Sequence, residues 1–133
     1  MKKIRILLPI LVAVIAVFCF TQCKKNHDCT MHIECYYSDN GLDTGAICSN
    51  AHIVVGKPEY ADYARADGYT NNQGVFEHIF PYPALLDVVA NKADTTWDEE
   101  GNIVEVKYYT GAAQVQVNDG ETTSKTILMV RTY

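Results

Sequence analysis

From residue 30 onward the chain alternates. Apolar and polar side chains exchange places residue by residue, and Gly, Asn, Asp and Pro interrupt the pattern at short intervals. A period of two suits a strand with one buried face, whereas a helix needs apolar residues every third or fourth position. No stretch keeps the helical period long enough to predict a long helix. Met31, Ile33, Cys35 and Tyr37 share one face of a first strand, opposite Thr30, His32, Glu34 and Tyr36. Ala51, Ile53 and Val55 mark a second, ended by Gly56-Lys57-Pro58. Tyr60 to Ala66 reads as a weaker strand or a loop leading into one. Phe76, His78 and Phe80 follow the tight turn Asn71-Asn72-Gln73-Gly74, and Pro81-Tyr82-Pro83 stops that strand because proline cannot donate to a ladder. Leu86, Val88 and Ala90 mark the next strand. Val104, Val106 and Tyr108, then Ala113, Val115 and Val117, mark the pair after the polar loop Asp98 to Asn102. Asn118-Asp119-Gly120 is a hairpin turn before the closing strand Thr126 to Arg131. Seven or eight short strands with turns between them predict an all-β, antiparallel sandwich.

The first residues follow a different plan. Met1 to Arg5 is basic, Ile6 to Phe20 is apolar apart from Pro9, and Thr21-Gln22-Cys23 is the exit. That is the layout of a secretory signal, and about 15 apolar residues fall short of the roughly 18 a spanning helix requires. The stretch Phe20-Thr21-Gln22-Cys23 resembles the end of a bacterial lipoprotein signal. The resemblance implies cleavage before Cys23, lipid on its thiol and attachment to the membrane. No Asp follows Cys23, which by the same resemblance implies the outer membrane of the cell envelope. The expected organisation is a signal peptide over 1–22, a lipidated tether over 23–29 and one β-domain over 30–133.

Removing 1–22 leaves eight basic against sixteen acidic residues, so the formal charge moves from −5 to −8. Phosphate backbones are held by clustered Lys and Arg, and this balance excludes nucleic acid as a partner.

Cys29, Cys35 and Cys48 remain in the domain. Six residues along one strand would separate Cys29 and Cys35 by about 20 Å, too far to bond. Cys35 with Cys48 is the favoured disulfide. Cys29 with Cys48 is the alternative, and three reduced, half-buried thiols the third reading.

Three segments also resemble a known family: Ala51 to Val55, then Thr70-Asn71-Asn72-Gln73-Gly74-Val75-Phe76-Glu77, then Leu86 to Ala90. They are similar to carboxypeptidase regulatory-like, transthyretin-like domains, with Gly111 to Val130 similar to the closing strand pair. The resemblance implies a seven-stranded sandwich, transthyretin-like or Ig-like, that serves as an accessory or binding module. The physical logic is independent of it. Gly74 suits a left-handed turn position, and Phe76 then enters the core.

Catalytic signatures are missing. There is no Gly-x-Ser-x-Gly, no phosphate-cradling glycine loop and no His-Glu-x-x-His. A transthyretin-like hydrolase branch ends in Tyr-Arg-Gly-Ser, which Val130-Arg131-Thr132-Tyr133 does not match. Cys29-x-x-His32 lacks the second tight pair a structural zinc site needs, so no metal and no cofactor are expected. Asp94, Asp98, Glu99 and Glu100 lack the alternate spacing of a calcium loop. His78 reads as a core histidine; His32 and His52 fall on outward faces. The suggestive residues are aromatic: Tyr60, Tyr63 and Tyr69 in one connection, Tyr82 between prolines, and Trp97 in a loop. Exposed Tyr and Trp are common anchors for protein or glycan partners. The expectation is a non-catalytic envelope lipoprotein that binds such a partner, with a metal- or redox-linked Cys/His protein as the alternative.

Overall fold

The computed structural model describes residues 27–133. The signal, Cys23 and the first part of the tether lie outside the described residues. Seven strands follow in order: β1 (Cys29–Ser38), β2 (His52–Val55), β3 (Ala66–Tyr69), β4 (Val75–Phe80), β5 (Ala84–Trp97), β6 (Ile103–Val117) and β7 (Thr122–Thr132). Of the two readings of Tyr60 to Ala66, the structure shows the loop leading into a strand: one short 3-10 turn, Asp62–Ala64, runs into β3.

The strands form one hydrogen-bonded sheet in the order β3-β2-β5-β6-β7-β1-β4. The expectation of a wholly antiparallel arrangement is corrected: β1 and β7 run parallel. They lie at opposite ends of the chain, so no tight turn dictates their relative direction, and a period of two reads the same either way. The edge strands β3 and β4 are consecutive in sequence. The turn between them is held by Asn71 N donating to Val75 O at 2.8 Å and Gly74 N donating to Asn71 O at 2.9 Å. A sheet whose two edges are joined by a tight turn has to curl until they meet. Where they meet, a Cβ on Gly68 would lie 2.7 Å from Phe76 Cε2. Gly74 has φ +75°, the left-handed position expected of it.

Curling encloses one core. Met31, Ile33 and Cys35 of β1, Ile53 and Val55 of β2, Phe76 and Phe80 of β4, Leu86 and Val88 of β5, Val115 and Val117 of β6, and Ile127 and Met129 of β7 are buried together. Each is the inward member of an alternating pair, and removing such a side chain from water contributes about 1.5–3 kcal/mol. His78 lies half-buried between Phe76 and Phe80, with ring centroids at 6.4 and 4.6 Å.

The barrel-like body has two ends. At one, β1 begins and His27 Nδ1 bonds Asp119 of the β6–β7 turn at 2.8 Å. This entry end also carries the 56–65 loop and the β4–β5 turn. At the other, β5 and β6 run on beyond their neighbours. β2 pairs with β5 only as far as Asn91, and β7 pairs with β6 only over Tyr108–Thr110. The β5–β6 hairpin therefore projects past the core. Its inward side is polar: Lys92, Asp94, Glu105 and Lys107 take the positions that apolar residues hold lower down. Tyr37 and Tyr109 cap the core beneath them, edge to face at 4.8 Å.

Candidate functional site

Cross-strand partners share a face of the sheet. The register pairs Tyr69 with His52, His52 with Asn91, and Asn91 with Thr110. Ala51 and Ile53 on either side of His52 are buried, so this row lies on the outer surface. It crosses β3, β2, β5 and β6, roughly 14 Å of sheet at three strand spacings. One step towards the projecting hairpin, Ala93, Tyr108 and Thr132 form a second row. Ala93 is short, and the space above it is a shallow hollow of ≈ 590 Å³ lined by His52, Asn91, Ala93, Tyr108, Thr110 and Thr132, among others. Alternation along β5 continues the same face through Thr95 to Trp97, where a register shift after Thr96 interrupts the ladder.

Three aromatic rings stand open on this face: Tyr69 is 61% exposed, Tyr108 59% and Trp97 59%. Between the tyrosines the side chains are polar, and few carry a free charge. Thr110 Oγ1 donates to Asn91 Oδ1 at 3.2 Å, which leaves the Asn91 amide free to donate outward. His52 stacks at 5.0 Å on Tyr69 and bonds Asp67 through Nε2 at 2.8 Å. Lys92 is turned inward, with Nζ 3.6 Å from Asp94 and 3.5 Å from the carbonyl of Asn50. Flat rings around polar donors and acceptors can pack against one face of a ligand and bond its polar edge.

The five expected recognition residues divide between the two ends. Tyr69 and Trp97 join the outer face. Tyr63 and Tyr82 meet edge to face at 5.4 Å at the entry end, with Tyr60 in the same loop. Near them, Arg65 staples the loop by donating to the carbonyl of Pro58 at 3.0 Å and to Asp62. Reasoning from sequence missed His52, Asn91, Tyr108 and Thr110. Tyr108 was visible as one member of an alternating strand, but its outward side is set by Ala113 and Val115 facing in.

Cys35 and Cys48 are adjacent, buried, free thiols in the structure. Burial, then the neighbouring Cys48, pushes the Cys35 thiol up to about 12. Burial also raises the Cys48 thiol. Neither is poised as a thiolate nucleophile. His32 lies between Glu34 and Glu77 at 3.3 and 3.1 Å. Among the described residues, no three His, Cys, Asp or Glu side chains are gathered as metal ligands.

No family model matches the sequence, and no curated protein is significantly similar to it. Among solved structures, the fold is similar to that of a "putative carbohydrate binding protein" from Pseudomonas aeruginosa. The TM-score is 0.50 at 11% identity, covering 84% of this chain and 94% of that one. At that identity the likeness is one of fold alone.

Proposed function

We propose that the outer face of β3-β2-β5-β6 binds a glycan, and that the protein is a non-catalytic recognition module of the cell envelope. The observation that carries this reading is the row of polar, hydrogen-bonding side chains His52, Asn91 and Thr110 flanked by the open rings of Tyr69 and Tyr108. A pyranose has an apolar C–H face and a hydroxyl rim. Tyr69 and Tyr108 offer the flat apolar surface, and Tyr orders few rotatable bonds when it binds. Asn91, Thr110 and His52 offer donors and acceptors for the rim. The hollow is shallow and open, which suits a stretch of chain lying along the surface. The Pseudomonas protein of similar fold has a name that points the same way.

The order of residue types at the start of the sequence supports an anchor. The basic, apolar and Cys23 pattern would put lipid a few residues before His27, at the entry end of the body. Several acyl chains on one residue hold a protein to a bilayer far better than one does. The binding face, on the side of the body nearer the opposite end, would then be held away from the leaflet. Three sequence segments resemble transthyretin-like domains, and the accessory or binding role that this resemblance implies agrees with the same reading.

Affinity electrophoresis through gels containing neutral polysaccharides tests the binding claim. The wild type is expected to be retarded by at least one, and Tyr69→Ala or Tyr108→Ala to lose most of that retardation. Equal mobility of wild type and both variants across glucan, mannan, xylan and galactan gels would overturn it. Palmitate labelling of the wild type against Cys23→Ala tests the anchor, with label expected in the wild type alone.

A further inference from the structure

Cys35 and Cys48 face one another across the bridge that ties the segment after β1 back to the sheet. Tyr36 and Ile47 are the bridged pair. Cys48 N donates to Cys35 O at 2.9 Å, and Tyr37 N donates to Ala46 O at 2.8 Å. In this register the two cysteines are direct cross-strand neighbours with side chains on the same, inward side. Both are fully buried in the same core. Directly opposed residues hold their Cα atoms about 4.5–5.5 Å apart, inside the window a disulfide requires. Cys29 lies six residues back on β1, about 20 Å from Cys35. Its thiol faces the other way along the body, donating to the His27 carbonyl at 3.6 Å.

We propose that Cys35 and Cys48 form a disulfide under disulfide-permissive redox conditions, while Cys29 stays a thiol. The geometry thereby separates pairings that sequence spacing leaves open. The step is a thiol–disulfide exchange with an external disulfide such as oxidised glutathione. One cysteine thiolate attacks it, forming a mixed disulfide and releasing one thiol. The second cysteine then displaces the other half. The Sγ–Sγ bond forms, the external S–S bond breaks, and the two cysteine protons end on the two released thiols. Because both thiols are buried in the folded domain, exchange precedes docking of the 39–51 segment. The crosslink closes a short loop and holds Ile47 against Gly74, where an added Cβ would meet Ile47 Cγ2 at 2.7 Å.

The test is to reduce and unfold the full chain, refold it in detergent with oxidised and reduced glutathione, and block free thiols with N-ethylmaleimide. Cleavage after acidic residues then separates Cys29 (before Glu34), Cys35 (before Asp39) and Cys48 (after Asp43). The expected result is a joined pair of Cys35 and Cys48 peptides and a blocked Cys29. Blocked thiols at both Cys35 and Cys48, or any link to Cys29, would overturn the proposal. A second measurement needs no variant. Reductant is expected to lower the thermal midpoint of the refolded protein by roughly 10 °C, from the entropy of the closed loop. An unchanged midpoint would also contradict it.

Discussion

The Tyr37 hydroxyl donates a 2.6 Å hydrogen bond to Asp94 Oδ2, linking the end of β1 to the base of the projecting hairpin. The bond marks the level at which the interior changes from apolar to polar. Burial, followed by this bond, raises the phenol well above the usual tyrosine range. Tyr37→Phe removes a bond to a charged acceptor, and about 1.5 kcal/mol of stability should be lost, measured as a lower urea midpoint at unchanged slope. The phenol is the neutral donor and its folded pKa is raised. Its contribution is therefore complete below pH 10 and lost as pH rises further. The wild type and Tyr37→Phe should converge in stability above pH 10.

Gly68 and Phe76 are where the two sheet edges touch. An added methyl at Gly68 would press on the Phe76 ring at 2.7 Å. Gly68→Ala is expected to cost about 1–3 kcal/mol by overpacking. Phe76→Leu shortens the opposing side chain, so a double-mutant cycle should show that the second substitution relieves the first. Strict additivity would mean that the contact does not close the sheet.

At the tip of the hairpin, Asp98 accepts from the backbone N–H of Asn102 at 2.8 Å and of Glu100 at 3.0 Å. These bonds, Asn102 first, hold its carboxyl below the ordinary 3.8. A carboxylate with a depressed folded pKa stabilises above its unfolded value, and the effect is lost as pH falls from 3.8 through the lowered one. Asp98→Ala should speed amide exchange at Glu100 and Asn102 at neutral pH. In the wild type the same acceleration should appear only in that acid range.

The buried thiols give a fourth expectation. In fully reduced, folded protein, Cys35 should stay unalkylated at pH 9, where unfolded chain reacts readily, because its own titration is held up to about 12. The raised value means that stability is complete below pH 9.0 and falls as pH climbs towards 12. Rapid labelling of folded Cys35 at pH 9 would show that the 39–51 segment opens easily.

Much of the fold is legible along the chain. Met31, Ile33 and Cys35, or Ala113, Val115 and Val117, alternate because one side of their strand meets the core. The projecting hairpin is less legible for the same reason. From Asn91 to Thr96 the chain has left the apolar core, Lys92 and Asp94 line its inner face, and polar residues on both sides look like a loop. The parallel β1–β7 pair is invisible because periodicity carries no direction. Of the candidate face, Tyr69 and Trp97 stand out as exposed aromatics in any reading. His52, Asn91, Thr110 and Tyr108 become neighbours only through the register of strands far apart in sequence. Tyr63 and Tyr82 were equally prominent, and the fold places them at the other end.

The most direct test of the central claim is amide and side-chain NMR of the labelled domain titrated with a neutral oligosaccharide identified by gel retardation. Shifts are predicted at Tyr69, His52, Asn91, Thr110 and Tyr108, extending towards Trp97, with Tyr63 and Tyr82 unchanged. Shifts clustered at Tyr63 and Tyr82, with the outer face silent, would contradict the account.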